Sequence, residues 1–262
     1  MGNNLTIDHG NSRVKVALWS PAPAEAGGRV CVFERCYRNF TAADLAEIFA
    51  GHAIDSAIWC SVANDEADLL TALHTFCPNV IVLGADTPTP LTVDYGSPQT
   101  LGVDRIAAAV GAWSLPANRG HNILVADIGT AITYDRVTAD ARYTGGNIAP
   151  GIYMRLCALN HYTARLPMVE TDGQVPLWGD NTENALRAGA INGVVAELEY
   201  YHRSLGDTDT RAVLTGGAAR LVQKRLSFAH TVVPDLVSRG LDTIAQFNNT
   251  ATYSGTTAAV NP

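Results

Sequence analysis

The chain opens on strand-like patterning. An apolar run ends in Asp8-His9-Gly10-Asn11-Ser12, and residues 13–19 then set Val14, Val16 and Leu18 on one side against Arg13, Lys15 and Ala17. That alternation predicts a hairpin partner strand, followed by a turn over 21–28 and a third strand over 30–33. Leu45, Ile48 and Phe49 recur at helical spacing behind Thr41, a suitable N-cap, and predict a helix over 42–50. Unbroken apolar stretches at 57–62 and 80–83 predict buried parallel strands. Between them Leu69, Leu70 and Leu73 mark the stripe of a helix over 65–76. Three prolines make 87–98 a loop, and Ile106, Ala107, Val110 and Trp113 give the next helix, over 103–113.

After a polar connection at 116–120 the pattern restarts. A strand over 123–126 runs into Asp127-Ile128-Gly129-Thr130, a hairpin partner covers 131–137, and 144–151 reads as a Gly/Pro turn. Met154, Leu156 and Leu159 lie on a helix read as core or subunit interface. A long helix spans 182–203; a strand over 212–214 enters Thr215-Gly216-Gly217-Ala218, and a helix over 220–226 follows. The repetition predicts a mixed α/β fold of two duplicated units, 1–115 and 120–262, with a ligand cleft between them.

Composition narrows the function classes. With 262 residues, 47% hydrophobic and 16% charged, the chain has material for two ordinary cores and no low-complexity tract. A net charge of -7 argues against a nucleic-acid partner. Five cysteines, with no C-x-x-C pair among them, suggest neither a disulfide framework nor a zinc site. The lack of a basic, then apolar, N-terminal stretch or of a long uninterrupted apolar segment predicts a cytoplasmic protein without a membrane span.

The two Asp-x-Gly turns carry the first candidate chemistry. A strand entering a Gly-containing turn exposes backbone N–H groups and hydroxyls just beyond a carboxylate, a set that holds phosphate oxygens beside a hydrated cation. In the first copy Gly10, Asn11 and Ser12 offer donors, Asp8 can hold a water of hydrated Mg2+, and Lys15 can screen charge. In the second, Asp127, Gly129 and Thr130 occupy the corresponding places. Either turn alone is also what an ordinary hairpin looks like; two in corresponding positions point to a nucleotide. Gly216-Gly217 suits close approach to adenosine. Between the copies, Gly102-Val103-Asp104-Arg105 starts a helix. Asp104 can orient and deprotonate an acceptor hydroxyl, and the Arg105 guanidinium suits a small carboxylate substrate.

These motifs, together with Tyr95-Gly96, Gly145-Gly-Asn-Ile-Ala-Pro-Gly151 and Thr163-Ala-Arg-Leu-Pro167, resemble those of type III pantothenate kinases nearly end to end. That family belongs to the acetate and sugar kinase/Hsc70/actin superfamily. The resemblance implies two duplicated ribonuclease H-like (actin-like ATPase) domains, with mixed sheets flanked by helices and the nucleotide cleft between them. It also implies ATP-dependent phosphorylation of pantothenate to 4'-phosphopantothenate, the first step of coenzyme A biosynthesis, in a homodimer. Carried over by motif, Asp104 is the general base, while Tyr95, Gly102, Asp104, Arg105 and Thr182 face pantothenate. Asp8, Gly10, Asn11, Ser12, Lys15, Gly129 and Thr130 bind ATP. Asp127 holds a monovalent cation, K+ or NH4+, and Asp8 holds Mg2+ through water. Two alternatives share the scaffold: a related small-molecule kinase with another acceptor, and a non-catalytic regulatory protein.

Overall fold

The computed structural model describes residues 2–23, 28–62, 67–206 and 209–255. They form two compact units, one taking the chain up to Leu115 together with the segment from Leu236 onward, the other Pro116–Asp235.

Unit 1 contains β1 (Asn4–His9), β2 (Val14–Pro21), β3 (Arg29–Tyr37), α1 (Ala42–Gly51), β4 (Ser56–Ser61), α2 (Ala67–Phe76), β5 (Val80–Val82), the two-residue β6 (Thr92–Val93), α3 (Val103–Ser114) and the C-terminal α7 (Leu236–Gly255). Its main sheet runs β3-β2-β1-β4-β5. The hairpin strands are antiparallel, while β4 and β5 run parallel to β1. β4 buries Ala57, Ile58, Trp59 and Cys60 together, as a strand covered on both faces must. Part of the expected turn at 21–28, and the first two residues of the expected helix over 65–76, lie outside the described residues.

Leu5, Ile7 and Val16 pack with Leu45 and Ile48 of α1 and Leu73 of α2. The Thr41 cap is present: Asp44 N–H donates to its hydroxyl, and the Asp44 carboxylate accepts from the Thr41 N–H. Polar contacts tie α7 to β1 and β2. Thr6 and Trp19 hydrogen-bond Ser238, and Asp242 accepts from Asn4 and from the Arg29 guanidinium at 2.7 Å. α3 and α7 touch backbone to backbone: a Cβ placed on Gly111 would fall 2.2 Å from the Leu236 carbonyl oxygen, and one on Gly240 would fall 1.8 Å from that of Ala107. Unlike the sequence division at 120–262, the segment from Leu236 onward groups with the first unit.

Unit 2 contains β7 (Ile123–Ile128), β8 (Ala131–Val137), β9 (Arg142–Pro150), α4 (Ile152–Tyr162), α5 (Thr182–Ser204), β10 (Arg211–Thr215), α6 (Ala219–Val222) and β11 (Thr231–Val232). These strands are ordered β11-β10-β7-β8-β9, again with an antiparallel hairpin and parallel followers. Its core joins Ile128, Ile132 and Leu214 of the sheet to Leu156 of α4 and Ile191, Val194 and Leu198 of α5.

The expected turn over 144–151 is instead most of β9. Its glycines mark a bulge rather than a chain reversal: the register shifts between Asp135 and Val137, Gly145 has φ +97°, and a Cβ on Gly146 would sit 2.0 Å from the Tyr134 carbonyl oxygen.

Candidate active site

In unit 1 the β1–β2 hairpin is closed by Gly10 N–H donating to the Arg13 carbonyl at 3.1 Å. Antiparallel register puts Asp8 directly opposite Lys15, so carboxylate and ammonium share one face at the strand end. Asn11 and Ser12 are exposed at the tip, and Asp8 and Gly10 are half-buried behind them.

The second cluster in this unit surrounds the start of α3. Gly102 caps the helix, and the Arg105 N–H donates to an Asp104 carboxylate oxygen at 2.8 Å. The helix start thus holds the carboxylate, the favourable place for a negative group. Glycine at 102 is what permits this, since a Cβ there would lie 2.5 Å from that oxygen. Arg105 is only 5% exposed, so its guanidinium is held within the protein rather than in solvent. Its guanidinium carbon lies 5.9 Å from the centre of the Tyr95 ring, a cation–π contact. Tyr95, Gly102, Asp104 and Arg105 are therefore brought together.

In unit 2 the Asp127 turn is built more tightly than its sequence copy. Gly129 N–H donates to Ala131 O, and Gly151 N–H donates to Thr130 O, both at 3.0 Å. Two flanking glycines press on it. A Cβ on Gly151 would fall 2.2 Å from the Thr130 carbonyl oxygen, and one on Gly216, which has φ +88°, would fall 2.5 Å from an Asp127 carboxylate oxygen. β10 lies parallel to β7 with Thr215 opposite Asp127, which brings the Gly216 turn alongside. Gly151 and Gly216 are thus site-shaping residues that the sequence reading assigned elsewhere, to a Gly/Pro turn and to adenosine contact. The signal for both was a glycine at the end of a strand.

Thr182 is exposed in the first turn of α5, where Asn181 caps the helix by accepting from Asn184 N–H at 2.9 Å. Unit 1's candidates thus form two groups, the hairpin and the α3 start. Unit 2 gathers Asp127, Gly129 and Thr130 on one turn and carries Thr182 on α5.

The donor set bears on metals. Among the described residues no three His, Cys, Asp or Glu side chains cluster in the manner of an all-protein metal cage. Single carboxylates at Gly turns instead fit a cation held partly by water and by phosphate oxygens.

A half-buried ion pair supports the α4–α5 packing. Glu197 accepts from the Tyr134 hydroxyl and from Arg155, each at 2.7 Å. Burial alone pushes the Glu197 carboxyl up, but the hydrogen bonds from Arg155 and Tyr134 outweigh it and hold the group below its ordinary value. Burial and Glu197 together push the Tyr134 phenol well up.

Two mixed sheets flanked by helices, each entered through an Asp-x-Gly hairpin, define the fold of actin-like ATPases and sugar kinases. The structural comparisons agree. A Campylobacter jejuni protein assigned to the Baf family of transcriptional activators matches with TM-score 0.58 at 20% identity, covering 94% of this chain and 99% of its own. A Listeria monocytogenes protein assigned as an N-acetylmannosamine kinase matches with TM-score 0.53 at 11% identity, covering 94% and 99%. At those identities the likeness concerns fold alone.

Sequence comparison goes further. The type III pantothenate kinase profile matches residues 4–204. The type III pantothenate kinase of Phocaeicola vulgatus is 38% identical over 249 residues, covering 94% of this chain and 99% of its own. The chain belongs to the type III pantothenate kinase family.

Proposed function

We propose that this protein phosphorylates pantothenate with ATP to give 4'-phosphopantothenate, the first step toward coenzyme A. The observation that carries the assignment of roles is the α3 start, where Asp104 lies beside the buried, Tyr95-stacked Arg105. Asp104 aligns the acceptor hydroxyl and takes its proton. Arg105, Tyr95, Gly102 and Thr182 hold the rest of pantothenate, with the guanidinium matched to its carboxylate. Gly10, Asn11, Ser12, Lys15, Gly129 and Thr130 bind the phosphates of ATP. Asp8 would hold Mg2+ through water, and Asp127 would hold K+ or NH4+; bound there, the cations neutralise charge on the transferring phosphoryl group. Positioning supplies most of the acceleration, since loose phosphoryl transfer asks little of a base.

The active form we propose is a cytoplasmic homodimer. α4 supports it: Tyr153, Met154, Leu159 and Tyr162 are all exposed on this one helix, an apolar surface suited to a second copy. Retained Asp8, Asp104 and Asp127 keep a phosphoryl-transfer set intact and speak against a non-catalytic role.

The test is ADP release on adding pantothenate to the purified protein with ATP and Mg2+, with K+ and then with Na+. Pantothenate-dependent ADP release that falls in Na+ is expected. No release with pantothenate, but release with another hydroxyl acceptor, would overturn the substrate assignment; equal rates in both ions would overturn the role of Asp127.

A further inference from the structure

The segment between α4 and α5, residues 163–181, contains no helix or strand, yet it is fastened along its length by side chains of unit 2. Arg187 of α5, only 7% exposed, donates from Nε to the Glu170 carbonyl at 3.0 Å. Its Nη1 donates to the Gln174 carbonyl at 3.3 Å and to the Asn184 side-chain oxygen at 3.1 Å. Arg225 holds the Val175 carbonyl, and Asn192 holds that of Pro176.

Between the two carbonyls that Arg187 grips sits Gly173, with φ +121°, where a Cβ would fall 2.8 Å from the guanidinium carbon. The flat guanidinium therefore lies against bare backbone, an arrangement available only to glycine. Further along, a Cβ on Gly179 would fall 2.3 Å from Ala185 Cα, so the loop closes directly onto the first turns of α5. Thr182 is the first residue of that helix.

A guanidinium buried for charge pairing alone would face a carboxylate. The acceptors of Arg187 are instead three neutral oxygens, two of them backbone carbonyls of the loop. Burying an ionised group on neutral acceptors costs stability that an apolar residue would not, so the gain has to lie in geometry. The fork fixes two points of the loop at a set spacing, and Asn184 links the same guanidinium to the first turn of α5.

We infer that Arg187, with Gly173 beneath it, is a positioning residue for the acceptor site: it sets the path of residues 170–181 and through them the placement of Thr182 against pantothenate. The inference rests on the proposed contact of Thr182 with pantothenate, and the experiment separates the two. Arg187→Lys keeps the charge and loses the fork; Gly173→Ala keeps Arg187 and displaces it; Thr182→Val tests the contact itself. Steady-state kinetics with each substrate varied should show KM for pantothenate rising roughly tenfold in all three variants, while KM for ATP stays within about twofold.

If Thr182→Val leaves the pantothenate KM unchanged, the contact is absent. If Thr182→Val raises it but the folded Arg187→Lys and Gly173→Ala proteins do not, Arg187 only stabilises the fold and the inference fails. Hydrogen exchange on the unsubstituted protein covers the case in which neither variant folds. Pantothenate should slow exchange of the amides between 170 and 181, and unchanged exchange there would overturn the inference.

Discussion

Replacing Gly240 by alanine tests the packing that carries the helix of Asp104. The new Cβ would start 1.8 Å from the Ala107 carbonyl oxygen, whereas real Cβ contacts essentially never fall below 3.0 Å, so α7 and α3 must part by 1.2 Å at the crossing. A radial gap of about 0.5–1 Å already forfeits a quarter to a half of each dispersion contact. The seam that opens includes Ala107, Val110, Leu241 and Ile244, all completely buried. Overpacking of this kind costs about 3 kcal/mol, and the better helix propensity of alanine offsets about 1 kcal/mol, leaving a net loss of about 2 kcal/mol. For a chain of this size that lowers Tm by roughly 4–8 °C.

Gly189→Ala is the matched control. Gly189 also lies inside a helix, α5, but a Cβ there meets nothing within 4 Å. That variant should gain about 1 kcal/mol through propensity alone. Urea and thermal unfolding of the three proteins, followed by circular dichroism, give the comparison. A Gly240→Ala protein as stable as the parent would mean that the two helices are not in backbone contact, and the reasoning would fall.

Asp104→Asn should fold normally, since the amide oxygen can still accept from Arg105 N–H, and should lose roughly 10^2 to 10^4-fold in kcat, measured by ADP release. Unchanged turnover would remove Asp104 from its role. The Glu197 carboxyl is held below its ordinary value of 4.5, so the unfolded chain takes up its proton first as the pH falls. Its contribution is present above pH 4.5 and is lost as the pH drops through the lower, folded-state value. The stability advantage of the parent over Glu197→Gln should therefore shrink on acidification from pH 6 to pH 4. A pH-independent difference in urea midpoints would contradict the Arg155–Glu197–Tyr134 assignment.

Local chemistry determined which elements were legible from the sequence. β8 starts at Ala131 and α3 at Val103, as expected of a hairpin partner after the Asp127 turn and of a helix after Gly102, and the Thr41 cap is present, because each depends on neighbours within a few residues. β9 was missed because Gly145, Gly146 and Pro150 are turn formers in isolation; only the pairing with β8 makes them a bulged strand. α7 was not read as a helix although Val237, Leu241, Ile244 and Ala245 form its buried stripe; what no local pattern shows is that Ser238 and Asp242 beside them bond to β1 and β2. Both Asp-x-Gly turns were visible. The glycines that shape the second one, Gly151 and Gly216, are 21 and more residues away in sequence, and no local pattern links them to it. Arg187 is another such case: its partners are carbonyls, which leave no trace in residue identity.

The return of α7 to unit 1 has a consequence for synthesis. Asn4 reaches its partner Asp242 across 238 positions, and Thr6 and Trp19 meet Ser238. On the ribosome, the first sheet made is therefore the last to be finished. Its polar-lined face stays uncovered until the C-terminal helix leaves the exit tunnel, while Pro116–Asp235 is contiguous and can mature as it emerges. A chain released early, short of Leu236, would carry the whole Asp8 hairpin and the Asp104 helix on a sheet lacking one cover, ready for capture by chaperones and proteases rather than for chemistry.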